Sequence, residues 1–359
     1  MSAIEPFQNA NAVRGTGRGV AAWLFLCAAM VFAMVPIGGI TRLTESGLSI
    51  VEWQPLIGAL PPLGEADWQA LFAKYQATPQ FRQVNRTMTV PEFKAIFWWE
   101  YIHRLWGRLI GIVFAAPFLW FLARRAIGGA LAWKLAGIFA LGGLQGAMGW
   151  YMVASGLVDR PEVSQYRLTA HLGLALLIYA LLLWTALGLM SAHRPLLLSP
   201  SHFGREDRKN LHRGATVLLV LVTLATLAGG FVAGLDAGLI YNTFPLMEGR
   251  LVPPDYLATQ PWWRDPFENR ATVQFHHRVL GIATLIAAAV YTWRALKADP
   301  PRPVRRAAIA LAHLAVLQAA LGIATLLLVV PAPLAALHQI GAMALFTAAL
   351  WLRFALARE

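Results

Sequence analysis

A single cysteine, Cys27, is present among 359 residues, so the chain can close no internal disulfide. Charge is scarce as well. Asp, Glu, Lys and Arg make up 13% of the sequence, about half the roughly 25% of a soluble globular protein. That is too little to coat a water-soluble surface of this size. With 58% apolar residues and a mean hydropathy of +0.55, a disordered or fibrous chain is excluded too. Acids are the scarcest of all, 18 against 30 Lys and Arg, giving a net charge of +12. What remains is an integral membrane protein.

A bilayer core takes roughly 20 predominantly apolar residues per helix. Uncharged windows fall at 19–41, 109–123, 135–158, 168–193, 214–235, 279–293 and 307–352. The last is long enough for two spans, and Val330-Pro331-Ala332-Pro333 breaks it, since proline cannot donate to a helix and disfavours helix before itself. The windows at 109–123 and 279–293 are short, so each borrows its first turns from 97–108 and 271–278. Eight helices result. The first follows Arg14 and Arg18 as a signal peptide does, but it is long and lacks an A-x-A site, so it is read as a retained span. The N-terminus, the 2–3, 4–5 and 6–7 loops and the C-terminus hold 17 Lys and Arg against 5 acids; residues 42–96, 159–167 and 236–270 hold 10 against 12. The positive-inside rule puts both termini in the cytoplasm. This distribution makes the basic excess a topogenic signal and an anionic-lipid contact, not a nucleic-acid footprint.

The chain repeats itself. Gly38-Gly39-Ile40 and Gly229-Gly230-Phe231 each open a long outer loop. Glu100-Tyr101-Ile102-His103-Arg104 matches Gln274-Phe275-His276-His277-Arg278, Leu144–Gly149 matches Leu317–Gly322, and His171 matches His338. Four spans return the chain to its starting side, so the repeats are parallel. The expected fold is all-α, two four-helix bundles related by a pseudo-two-fold axis along the membrane normal. They cover 19–193 and 213–355, with a cytoplasmic linker at 194–212. In the first outer loop Trp68, Leu71, Phe72 and Tyr75 recur at helical spacing, which predicts an amphipathic helix over 64–76 that caps the bundle.

Of nine histidines, His193, His202 and His212 fall in the polar 4–5 loop, and His313, alone in the seventh helix, reads as a satisfied interior residue. His276 is rotated about 100° from its neighbour His277. His103, His171, His277 and His338 form a set near the outer starts of the second, fourth, sixth and eighth helices, two per bundle. Intramembrane ionisable residues default to a functional reading. Paired imidazoles on facing helices suit the two axial positions of haem iron. Zinc wants four ligands at one point, and a di-iron centre needs more carboxylates than Glu100, although Glu100-x-x-His103 has its spacing. Arg104 and Arg278 follow the helix-2 and helix-6 histidines and suit haem propionates. Glu100 breaks the symmetry: its counterpart is Gln274, which points to chemistry at the first site alone.

These residues together resemble haem A synthase. The resemblance rests on eight spans, Glu100–Arg104, Gln274–Arg278, His171, His338, the loop Gly39-Ile40-Thr41-Arg42-Leu43-Thr44-Glu45-Ser46-Gly47-Leu48-Ser49 and the stretch 145–157, and it covers about residues 19–355. It implies oxidation of the C8 methyl of haem O to a formyl group through haem I, for terminal oxidases. It implies a resident haem b on His277 and His338, a substrate haem on His103 and His171, and an essential glutamate at Glu100. By the same resemblance a haem O synthase is a partner, an unidentified donor supplies electrons, and the location is the bacterial inner membrane. The outer loops lack the cysteine pair of some members, which places the chain in the cysteine-free branch. A di-haem cytochrome b-type electron carrier is the competing reading, and a transporter a third.

Overall fold

The computed structural model describes residues 5–52, 58, 60–156, 163–191 and 203–357. His193, His202, linker residues 194–202, and residues 53–57 and 59 lie outside them. Eight helices are long and apolar enough to cross a membrane: α1 (Glu5–Leu43), α4 (Val90–Ala123), α5 (Gly129–Gly156), α6 (Gln165–Ser191), α7 (Arg205–Gly234), α9 (Arg270–Ala298), α10 (Arg302–Leu327) and α11 (Ala332–Ala357). Three short helices, α2 (Glu65–Gln76), α3 (Pro79–Gln83) and α8 (Asp265–Glu268), belong to the loops 42–96 and 236–270. Among the described residues there is no strand, only an isolated bridge between Met247 and Arg250.

The borrowed turns are helical, and α4 reaches further back than its apolar window. It starts at a capping box, with Thr89 N and Oγ1 both donating to Glu92 Oε2 at 2.8 Å, and Pro91 sits in the first turn. At 1.5 Å per residue its 34 residues span about 51 Å, well over a core of roughly 30 Å. The surplus is covered by α2: Trp68, Phe72 and Tyr75 pack on Phe93, Phe97 and Tyr101. The amphipathic helix therefore caps the bundle. Burial lifts the Tyr75 phenol above its ordinary value, a hydrogen bond from Asn85 opposing that rise.

The break at 330–333 is a hairpin. After α10 ends at Leu327, Val329 (φ 60°) and Val330 (φ 57°) adopt the left-handed conformation that β-branched residues rarely take. Asn242 Nδ2 caps the preceding helix by donating to Leu326 O at 2.8 Å.

Three expectations are corrected. The glycine pairs do not open the outer loops: α1 runs through Gly38-Gly39 to Leu43, and α7 through Gly229-Gly230 to Gly234. His212 is not in a loop, because α7 already begins at Arg205. His313 is not interior; it sits on an exposed helix face with its ring nitrogen bonded to Ile309 O at 2.8 Å, its own helix meeting its polar need.

In the first half α1 packs on α4 and α6, and α5 on the same two. In the second half α7 packs on α9 and α11, and α10 on those two. The neighbour order is the same in both. The halves meet through α1 on α11, α6 on α7 and α6 on α11. At the last contact Tyr179 shares a 2.7 Å hydrogen bond with Thr347 and lies 6.2 Å from the Phe346 ring.

Candidate functional site

Each of the four histidines leaves one helix toward a glycine on the preceding long helix. A methyl group added at Gly38 (α1) would stand 3.0 Å from His103 Nε2, and one at Gly149 (α5) 3.4 Å from His171 Cε1. In the second half the distances are 3.2 Å from Gly229 (α7) to His277 Cε1 and 2.7 Å from Gly322 (α10) to His338 Cε1. Gly229 follows the same repeat alignment as Gly38, and Gly322 the same as Gly149. At Gly38, Gly229 and Gly322 a side chain would crowd the ring, while at Gly149 the approach is ordinary contact. His171, His277 and His338 fall in the second turn of their helices; His103 lies deeper in α4 because that helix carries the extra cap-binding turns.

The rings of His277 and His338 face one another with centroids 6.3 Å apart and planes at 89°. His277 Nδ1 lies 3.1 Å from Ala225 O. A carbonyl only accepts, so this nitrogen carries the proton and Nε2 keeps the free lone pair a metal requires. The Nδ1 atom of His171 is buried without a hydrogen-bond partner. Allowing about 2 Å per metal–nitrogen bond and about 1 Å from nitrogen to ring centre, two imidazoles on one metal atom would stand about 6 Å apart, close to the 6.3 Å spacing here. Among the described residues no three His, Cys, Asp or Glu side chains converge. His276 points elsewhere, its Nε2 3.3 Å from Tyr256 OH in the outer loop.

Above each histidine pair the outer loop is clamped to the helix below. In the first half a 3₁₀ turn at Ser46–Leu48 sits over Glu100, which is 2% exposed. Glu100 Oε2 accepts from Ser49 Oγ at 2.7 Å and Ile50 N at 2.8 Å; Oε1 accepts from Arg104 Nε at 3.0 Å and from a second Arg104 nitrogen at 2.6 Å. Both oxygens only accept, the arrangement of an ionised carboxylate. Arg104 also donates to Ile50 O at 2.8 Å and Glu52 O at 3.1 Å. In the second half the 3₁₀ turn at Ala237–Leu239 takes the same place. Gln274, also 2% exposed, donates to Ala237 O at 2.8 Å and to Ile240 O, and accepts from Arg278 at 3.1 Å. Arg278 donates to Tyr241 O at 2.5 Å and Thr243 O at 2.8 Å, matching Arg104 on the carbonyls of Ile50 and Glu52.

Both arginines thus bind loop carbonyls, and Glu100 is ion-paired, not isolated. Arg278 Nε remains buried without a partner. A bridge joins the halves at this level: one Arg42 nitrogen lies 3.0 Å from each carboxylate oxygen of Asp236, and Arg270 donates to Asp236 O at 2.6 Å.

Sequence reasoning singled out the histidines, Glu100 and the arginines. It passed over Ser49 and the four glycines as site residues. The signal for the glycines is present in the repeat, which aligns Gly38 with Gly229 and Gly149 with Gly322. Ser49 shows the opposite signal, since its aligned position is Ile240.

Comparison with known proteins follows the same lines. A family model described as COX15-CtaA, cytochrome oxidase assembly protein, matches residues 21–350. A heme A synthase of Nitrosospira multiformis is 54% identical over 341 residues, 95% of this chain and 94% of the relative. One of Nitrosomonas eutropha is 51% identical over 332 residues, 92% of each chain. One of Paramagnetospirillum magneticum is 49% identical over 345 residues, 96% of each.

Proposed function

The chain belongs to the COX15-CtaA family of cytochrome oxidase assembly proteins, and from that premise we propose that this multi-pass membrane protein oxidises the C8 methyl of haem O to a formyl group, giving haem A by way of haem I. The observation that carries the reading is the mismatch inside the matched clamps. Two loops are held by two arginines on equivalent carbonyls, yet one helix supplies a buried carboxylate at Glu100 and the other a neutral amide at Gln274. Fold alone needs no such difference, because the amide closes its loop without a charge.

In this reading the two halves are pseudo-two-fold related bundles, 19–193 and 213–355. His103 and His171 bind the iron of substrate haem O in the first. His277 and His338 hold haem b in the second, with Arg278 Nε free to meet a propionate. Haem b supplies one-electron transfer when bound. Ala225 fixes the His277 tautomer, and Gly38, Gly229 and Gly322 leave room for the rings of His103, His277 and His338. Glu100 is the acid–base group at the substrate site, with Arg104 holding one oxygen and the loop the other. Both termini face the cytoplasm across the inner membrane, a haem O synthase supplies the substrate, and an electron donor of unassigned identity reduces haem b.

The test is to purify the protein, extract its haem and weigh it. Haem b with haem O, haem I or haem A supports the proposal. Two equivalents of haem b and nothing else would make the protein a di-haem electron carrier instead.

A further inference from the structure

Glu100 is gripped by four donors, and these differ in kind. The two Arg104 nitrogens and the Ile50 amide are permanent donors that can never accept. Ser49 Oγ, at 2.7 Å from Oε2, is a hydroxyl, able to donate to a carboxylate or to accept from a carboxylic acid by rotating its proton away. Oε1 faces only permanent donors. A proton on Oε1 would meet N–H groups head-on, whereas a proton on Oε2 finds an acceptor.

The second half is the internal control. Its loop makes the same 3₁₀ turn and receives the same arginine clamp, yet the residue aligned with Ser49 is Ile240, which has no hydroxyl. The loop therefore folds onto its helix without a serine. The hydroxyl goes with the carboxylate, not with the turn. Ser49 is 2% exposed, so water does not replace it readily.

We propose that Ser49 is a positioning residue for Glu100, holding Oε2 as the one carboxylate oxygen able to carry a proton. The inference rests on the reading of Glu100 as the acid–base group of a haem O-oxidising site. Ser49→Ala removes the rotating group, and Ser49→Thr restores a hydroxyl at the same place.

The experiment uses the full-length protein purified in detergent with its haem b. Infrared difference spectra against Glu100→Gln identify the Glu100 carboxylate band. That band shifts in Ser49→Ala and returns to the wild-type position in Ser49→Thr. With haem O as substrate, kcat falls about tenfold or more in Ser49→Ala while KM stays within about twofold, and Ser49→Thr recovers most of the loss. The reduced b-type spectrum of the second half reports folding and stays unchanged. An unmoved carboxylate band, an unimpaired kcat, or loss of the b-type spectrum together with activity would overturn the role of Ser49. If wild-type protein makes no haem A from haem O, the functional reading fails by itself, and the infrared comparison still decides the contact.

Discussion

Replacing Gly322 by alanine tests the four-glycine arrangement most sharply. The new methyl carbon would stand 2.7 Å from His338 Cε1, 3.3 Å from Nδ1 and 3.4 Å from Nε2. Carbon atoms rest at about 3.5–4.0 Å, so the shortfall is about 1 Å. Neither partner yields easily, since the methyl is fixed to helix backbone and the ring is half a ligand pair. Overpacking of this kind costs about 1–3 kcal/mol, and a ligand displaced by about 1 Å exceeds the roughly 0.5 Å that a preorganised site tolerates. Haem b should therefore bind about 5- to 150-fold more weakly. The assay is the b-type difference spectrum per mole of protein, together with the rate at which haem passes to an excess of apomyoglobin. Gly229→Ala, at 3.2 Å from His277, should fall between wild type and Gly322→Ala. Gly149→Ala meets His171 at 3.4 Å, ordinary contact, and should leave the b-type spectrum as it is. Wild-type haem retention in Gly322→Ala would refute the argument that these glycines exist to seat the rings.

Three other outcomes follow from the site and its support. Glu100→Gln gives the first half the amide of the second; haem b is retained and haem A formation falls about a hundredfold or more, read by chromatography of extracted haem. His277→Ala removes the b-type spectrum, whereas His103→Ala leaves most of it, and a reversal would exchange the roles of the halves. Trp68→Ala empties the space between α2 and Phe93 and Phe97, costing about 3 kcal/mol; hydrogen exchange should quicken over Glu65–Gln76 and not over Arg270–Ala298.

Hydropathy was enough for the eight spans because lipid tolerates so few alternatives to helix. The hairpin was visible in two prolines, and the candidate site in four histidines at repeated places. The boundaries were harder. Glu92 and Lys94 interrupt the apolar pattern at the start of α4, so the turns that bind α2 look like loop; only the Thr89–Glu92 capping box marks them. The stretch 205–212 reads as a polar connector although it is the first part of α7. Arg104 and Arg278 were legible as buried cations, but not as clamps on Ile50 O and Tyr241 O. Those partners lie more than thirty residues away, with no side-chain signature. Glu100 stood out only because the repeat supplies Gln274 for comparison.

Helices α6 and α11 each bear one of the four histidines while lying along the seam between the halves. If the first half were made alone, Tyr179 would turn a hydroxyl toward acyl chains that offer it no hydrogen bond, beside a bare aromatic face, while Thr347 in the second half would keep its bond to Met343 O. The two halves are thus tied together at a shared wall. Two of the four histidine-bearing helices are therefore also a wall of the other half.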